Sequence, residues 1–274
     1  MLGYMQIGQD ECAELMGRKM KIGMAIAMAF IAGVPVAASA CDVSHGVRAK
    51  LESGSYRATL NDVLVDDRGI SVSSGDKEPS QKSFEYMLTE WLVPGKNILK
   101  IDYDGSAAEF EIFARCKGEY DDHEIIDTVR FTSASSGQLS FEHKGPLDYN
   151  YLKADIAGDQ GLLEAVKKLQ DAARTGDVET IVHMHAPLIE EFGRRIGKAD
   201  RFTTYLRTIL SGYPIEITET LTVTPVMGGR VYQIVGPDGQ PPISVSGKMD
   251  GGSFSWPGGA YWARFGEEWA VVAN

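Results

Sequence analysis

Cysteine is scarce in this chain: Cys12, Cys41 and Cys116 are the only three in 274 residues. That number excludes the dense cross-linking of a small disulfide-rich domain and any four-cysteine zinc site. Basic residues are also few, 27 Lys and Arg against 38 Asp and Glu, for a formal charge of -11. So acidic a surface repels phosphate backbones, which argues against general nucleic-acid binding. Long apolar runs are missing too. The apolar run Ile22–Val34 is the longest, and it falls short of the roughly 20 residues a membrane-spanning helix needs. No G-x-S-x-G, H-E-x-x-H, P-loop or dinucleotide-binding pattern occurs, so the usual sequence marks of hydrolases, zinc proteases and nucleotide enzymes are lacking. Neither a metal nor a cofactor is expected. What is present is a balanced composition, 43% hydrophobic and 24% charged, that of a folded globular chain long enough for two domains.

The first forty residues read as an extension and an export signal. Lys21 follows Met20, the apolar run comes next, and Pro35 leads into Ala38-Ser39-Ala40. That is a basic region, a short hydrophobic region and a small-residue cleavage site. Met20 is taken as the working start. Cleavage after Ala40 leaves Cys41 first, with two fates. As one of only two cysteines then remaining, it pairs with Cys116 in an oxidising compartment. Alternatively, Ala38-Ser39-Ala40-Cys41 resembles a bacterial lipobox, though with Ala38 where that motif prefers Leu, and lipidation would anchor the chain to a membrane. The disulfide is the favoured fate, and the expected location is periplasmic or secreted.

Residues 41–145 carry a β pattern. Phe84, Tyr86 and Leu88 alternate with polar neighbours, as do Leu99, Ile101 and Tyr103. Ala108, Phe110, Ile112, Ala114 and Cys116 make one face of a long strand, and Val129 with Phe131 and Leu139 with Phe141 flank a break at Ser133–Gly137. Turns are expected at Asp66–Gly69, Pro94-Gly95 and Asp104-Gly105. Short strands at that spacing predict an all-β sandwich. The segment Trp91–Leu99 resembles a turn of jelly-roll and immunoglobulin-like accessory modules.

Lys144-Gly145-Pro146 ends the last strand and marks a boundary, so residues 146–274 are expected as a second, α+β domain. Leu162, Val166, Leu169 and Ala173 form one helical stripe; Ile181, Met184, His185 and Leu188 form another. Gly176 closes the first helix and Asp177 caps the second. Phe202, Tyr205, Leu206, Ile209 and Leu210 line a later helix stopped by Gly212 and Pro214. Antiparallel strands then run to the end, with a tight hairpin at Met227–Arg230.

Three features of residues 158–274 resemble the nuclear transport factor two-like domains, cones of helices on a bent sheet. They are Leu169–Val178 with its Gly-Asp joint, the closing pair Tyr261–Phe265 and Gly266–Val272, and the order of helices before strands. The resemblance implies a C-terminal cone behind an N-terminal immunoglobulin- or jelly-roll-like sandwich. It departs where Leu188–Ile196 reads as a short helix in place of a strand pair.

Few residues could carry chemistry. His185 lies on its helix's apolar stripe, which the resemblance turns towards the cone interior. There it could serve as a general base near Tyr205 or Asp250, or simply as a satisfied core histidine. The acidic run Asp121–Glu124 lacks ordered cation-loop spacing, and Ser74–Lys77 matches S-x-x-K without its companion motifs; both read as surface loops. Gly251–Gly259 brackets Phe254 and Trp256 with glycines. It reads either as a recognition loop shared with Tyr261 or as a plug over the open end of the sheet. Together these features predict an exported, non-enzymatic binding or protein-interaction module whose partner is an envelope protein or a small ligand. The alternative is a small-molecule hydrolase, dehydratase or isomerase of the cone fold with His185 as base.

Overall fold

The alternating side chains of the first half do become strands in a computed structural model of the protein, which describes residues 42–70, 82–116, 123–249 and 252–274. The export signal, Cys41, the Ser74–Lys77 run, Asp121-Asp122 and Asp250 lie outside the described residues. In β5 (Gly95–Asp104), Asn97, Leu99, Ile101 and Tyr103 are buried while Lys100, Asp102 and Asp104 are exposed, the two-residue period of a half-buried strand. The remaining strands are β1 (Val43–Leu51), β2 (Gly54–Leu60), β3 (Val63–Ile70), β4 (Lys82–Leu88), β6 (Ala108–Cys116), β7 (Glu124–Phe131) and β8 (Ser135–His143). They pair antiparallel in two sheets, β4-β1-β6-β7 and β3-β2-β5-β8. Tyr56 of one sheet meets Phe110 of the other edge-on, ring centres 5.0 Å apart, and Val47, Ala49, Leu60, Leu99 and Ile112 fill the space around them.

Two turn expectations need correction. Asp66–Gly69 is no turn; it lies within β3, where the Asp66 carboxylate accepts from Tyr56 Oη at 2.5 Å and from Arg68 Nε at 2.8 Å. The chain reverses instead at Asn61-Asp62, whose φ values of 51° and 71° suit the two-residue hairpin loop joining paired Leu60 and Val63. The expected break at Ser133–Gly137 is shorter, since β8 already begins at Ser135.

After β8 come a single 3-10 turn at Asn150–Lys153 and four helices: α1 (Leu162–Thr175), α2 (Val178–Met184), α3 (Ala186–Ile196) and α4 (Ala199–Gly212). Gly176 ends α1 at φ 70°, and Asp177 caps α2 by accepting from Thr180 N. Seven strands follow: β9 (Ile215–Ile217), β10 (Thr222–Val226), β11 (Val231–Val235), β12 (Ile243–Met249), β13 (Gly252–Gly258), β14 (Tyr261–Phe265) and β15 (Glu268–Ala273). They form the antiparallel sheets β10-β11-β14-β15 and β13-β12-β9. Leu162, Leu169, Ile181, Leu206 and Ile209 of the helices pack on Ile234, Val245, Trp262 and Val271 of these sheets. The described chain is thus mostly β, with four antiparallel sheets and four helices.

The glycine-bracketed segment near residue 255 is a second correction. It is no free loop: β13 pairs with β12 from Met249↔Gly252 to Ile243↔Gly258. Its glycines make room for rings. A Cβ on Gly258 would stand 2.6 Å from the Trp256 ring, and one on the partner strand's Gly247 2.5 Å from the Tyr213 ring.

Residues 41–274 form one compact unit, and the buried cluster of the first two sheets continues past residue 146. Tyr151, Ala154, Val226, Met227, Val231, Ala263 and Val272 belong to it. Trp91 sits at this seam, its ring 5.3 Å from that of Tyr151 and 4.7 Å from that of Tyr261. No described helix is long and apolar enough to cross a membrane.

Candidate functional site

His185 joins α2 to α3, being at once the C-cap of one and the N-cap of the other. It is fully buried. Its Nδ1 lies 2.8 Å from the Ile181 carbonyl; a carbonyl only accepts, so Nδ1 carries the proton and Nε2 a bare lone pair. Burial pushes the imidazole down to about 4, against weaker upward pulls from the Ile181 carbonyl and the Asn274 side chain. Asn274 Oδ1 accepts from Gly259 N at 3.1 Å, and Nε2 is left without a well-aligned partner. Trp256 covers the site, ring centres 5.3 Å apart, and its own Nε1 is equally unpartnered. The expected base is therefore neutral at pH 7 and walled in by an indole.

The other expected site residues are scattered. Tyr205 is half-buried on α4, its phenol pushed up by burial, and among the described residues no hydrogen bond joins it to His185. Trp256 is only 6% exposed, too enclosed for the recognition surface its loop suggested. Phe254 is half-buried edge-on against Tyr213, ring centres 4.9 Å apart. Tyr261 belongs to the seam, packed on Trp91 and accepting from Gln233 Nε2 at 3.0 Å. Cys116 is disulfide-bonded, and its partner lies outside the described residues. Cys116 stands opposite Val43, two residues along the chain from Cys41. Among the described residues no group of three or more His, Cys, Asp or Glu could hold a metal.

A pair of histidines went unread in the sequence. His45 of β1 and His143 of β8 meet between the sheets, Nδ1 to Nδ1 at 3.3 Å, both buried. Burial, then the neighbouring His143, takes His45 down to about 4. Burial lowers His143 as well, with Asp42 and the Gly145 backbone pulling it back. Like charges this close could not both persist, so the two rings are not cationic together.

The arrangement most like a site is elsewhere. A cleft of about 250 Å³ opens at the seam, lined by Asn61, Asp62, Val93, Ile98, Lys100, Met227 and Gly228. Four non-glycine residues among those described adopt left-handed backbone: Asn61 (φ 51°), Asp62 (71°), Trp91 (64°) and Met227 (51°). Asn61, Asp62 and Met227 line this cleft, and Trp91 is bonded to Asn61. Asn61 and Asp62 lie in one hairpin loop and Met227 opens another, between paired Val226 and Val231, whereas bulky Trp91 adopts this backbone outside any hairpin. Trp91 and Met227 are both bonded to Asn61: its Nδ2 donates to the Trp91 carbonyl at 2.8 Å, and its own carbonyl accepts from Met227 N at 3.0 Å. Asn61 also bonds Ile98 twice, through its backbone N at 2.9 Å and through Oδ1, which accepts from Ile98 N at 3.1 Å. Beneath it the fully buried Asn97 accepts from Val93 N and from Asn61 Nδ2, and donates to the Val93 and Gly95 carbonyls. Asp62 and Lys100, 2.6 Å apart and about half exposed, form the rim. Backbone in costly conformations persists only where surrounding structure over-determines it, as this bonded network does.

Compared with protein families, curated proteins and solved structures, the chain matches none.

Proposed function

We propose that the chain is an exported, non-enzymatic binding or protein-interaction module whose contact surface includes the seam cleft. Met227, which lines the open cleft, and Trp91 behind it, both in left-handed backbone and both pinned by Asn61, carry this reading. Strain of about 1–3 kcal/mol per residue persists only where surrounding structure over-determines it, and ligand clamps are a common place for it. The enzymatic alternative requires His185 to reach a substrate, and its burial beneath Trp256 speaks against that role. On this reading the first eight strands are an immunoglobulin- or jelly-roll-like sandwich and the remainder a nuclear transport factor two-like cone whose interior is filled by side chains. Residues 20–40 direct export, Cys41 bonds Cys116, and the location is periplasmic or secreted.

Cell fractionation combined with chemical cross-linking of the native, full-length protein tests the proposal. The expected result is a processed, extracytoplasmic chain joined to a defined partner. Retention in the cytoplasm, or a turnover of small esters or hydroxy compounds that His185→Phe abolishes, would overturn it.

A further inference from the structure

The chemistry of the seam cleft specifies what it takes. Its walls are apolar: Val93, Ile98 and Met227, with Gly228 leaving one side clear of any side chain. Its volume of about 250 Å³ lies below the roughly 300–1,000 Å³ of typical cofactor and drug-sized sites. It is also too small for a helix, whose diameter with side chains is about 10–12 Å. It does match one large aliphatic side chain with the amides on either side. The rim supplies a donor and an acceptor, Lys100 Nζ and the Asp62 carboxylate, bonded only to each other among the described residues and about half exposed. An exposed pair of this kind is worth about 0–1 kcal/mol, so an incoming group can part it at little cost. A peptide backbone offers the carbonyl that Lys100 can donate to and the N–H that Asp62 can accept from, flanking the buried side chain.

We infer that the cleft is a single-residue socket that captures a leucine- or methionine-sized side chain of an extended peptide segment in a partner protein. This deepens the binding-module reading and rests on it. The socket is rigid before anything binds. Asn61 fixes Ile98 on one wall and Met227 on the other, while Asn97 fixes Val93. Binding therefore orders little of the protein and loses little entropy. Selectivity follows from the walls: an aspartate in place of the aliphatic side chain would be desolvated beside apolar groups with only Lys100 to meet it.

The test is a methyl-detected NMR titration of the purified protein with the capped peptides Ac-Gly-Leu-Gly-NH2, Ac-Gly-Met-Gly-NH2 and Ac-Gly-Asp-Gly-NH2, and with free leucine. The expected result is saturable movement of the Val93, Ile98 and Met227 methyl signals with the Leu and Met peptides and none with the Asp peptide. Val93→Trp, which fills the socket, should abolish the movement, and Lys100→Glu on the exposed rim should weaken binding by roughly fivefold. Well-dispersed spectra establish that each variant is folded, and Lys100→Glu stands as the surface variant if Val93→Trp is not. Binding of free leucine without the capped peptides would overturn the inference in favour of an amino-acid site. No movement with any probe would also overturn it. Should cross-linked partners persist unchanged in Val93→Trp, the socket falls while the binding-module reading survives.

Discussion

Replacing Asn61 with Ala probes the network that shapes the cleft. Three uncompensated losses follow. The Ile98 N–H loses the Oδ1 that accepts from it at 3.1 Å, and the Trp91 carbonyl loses the Nδ2 that donates to it at 2.8 Å, while Asn97 Oδ1, which also loses Nδ2, keeps its bond from Val93 N. Leaving a buried polar group unsatisfied costs about 1–3 kcal/mol, and the lower half of that range applies because Asn61 itself is only half-buried. The third loss is conformational: Ala is forced into φ 51°, which costs about 1–2 kcal/mol for a residue with a Cβ and no local side-chain bond. The sum is about 3–6 kcal/mol. For a folded unit of this size that lowers Tm by roughly 6–24 °C. Asn61→Gly separates the contributions, since glycine adopts the left-handed backbone freely and forfeits only the side-chain bonds. It should fall short of wild type by about 1–2 kcal/mol less than Asn61→Ala does. Urea unfolding followed by tryptophan fluorescence measures both, with Trp91 a reporter at the seam. A loss under about 1 kcal/mol for Asn61→Ala, against the ~1 kcal/mol typical of a single mutation, would refute the assignment of Asn61 as the pin. So would a glycine variant no better than the alanine one.

Other perturbations follow from the same packing. Trp256→Ala removes a ring that is 6% exposed and covers His185, so it should destabilise by about 3–5 kcal/mol; a thermal melt like wild type would restore the exposed-loop reading. His45 and His185, both lowered to about 4, are neutral when folded and take up protons when unfolded. Their contribution is therefore complete above pH 6.5 and is lost as pH falls towards 4, at about 3 kcal/mol each. Urea midpoints between pH 7.5 and 4.5 should decline steeply. Glu191, raised by burial, opposes that decline, and Glu109, held at about 2 by Lys50 and Arg130, contributes no loss in that range. A flat profile would mean that water reaches the histidines in the folded state. Reduction of the Cys116 disulfide should cost about 4 kcal/mol if Cys41 closes the loop. Non-reduced peptide mapping identifies the partner, and a diacylglyceryl-modified Cys41 would refute that pairing.

The amphipathic elements were legible in the sequence because their signals are periodic. Leu99-Ile101-Tyr103 and Leu162-Val166-Leu169 announce a strand and a helix, and each buries the residues its period selects. The same period was present in Phe254 and Trp256, two residues apart, yet the flanking glycines suggested a loop. Of those glycines Gly258 serves ring packing, a cause visible only once the Trp256 ring and Ile243 stand beside it. His185 announced its burial by lying on an apolar stripe, but nothing local revealed that Trp256 would cover it. The cleft was hidden for a different reason. Asn61, Trp91, Asn97 and Met227 come from three separated segments, and no local pattern links a hairpin loop, a strand entry and a distant turn. Trp91–Leu99 and the hairpin at Met227–Arg230 drew notice separately, and Asn-Asp between two apolar runs was the overlooked hairpin signal.

The central claim, that the seam cleft is the contact surface of an exported binding module, is tested most directly by a site-specific photo-cross-linker. A benzophenone amino acid is placed at position 93 in the cleft and, as control, at position 163 on α1, where Leu163 is 59% exposed. Illumination of cells producing each variant should give a discrete adduct with one envelope protein from position 93 and none from position 163. The absence of an adduct from position 93, or the same adduct from both positions, would contradict the account.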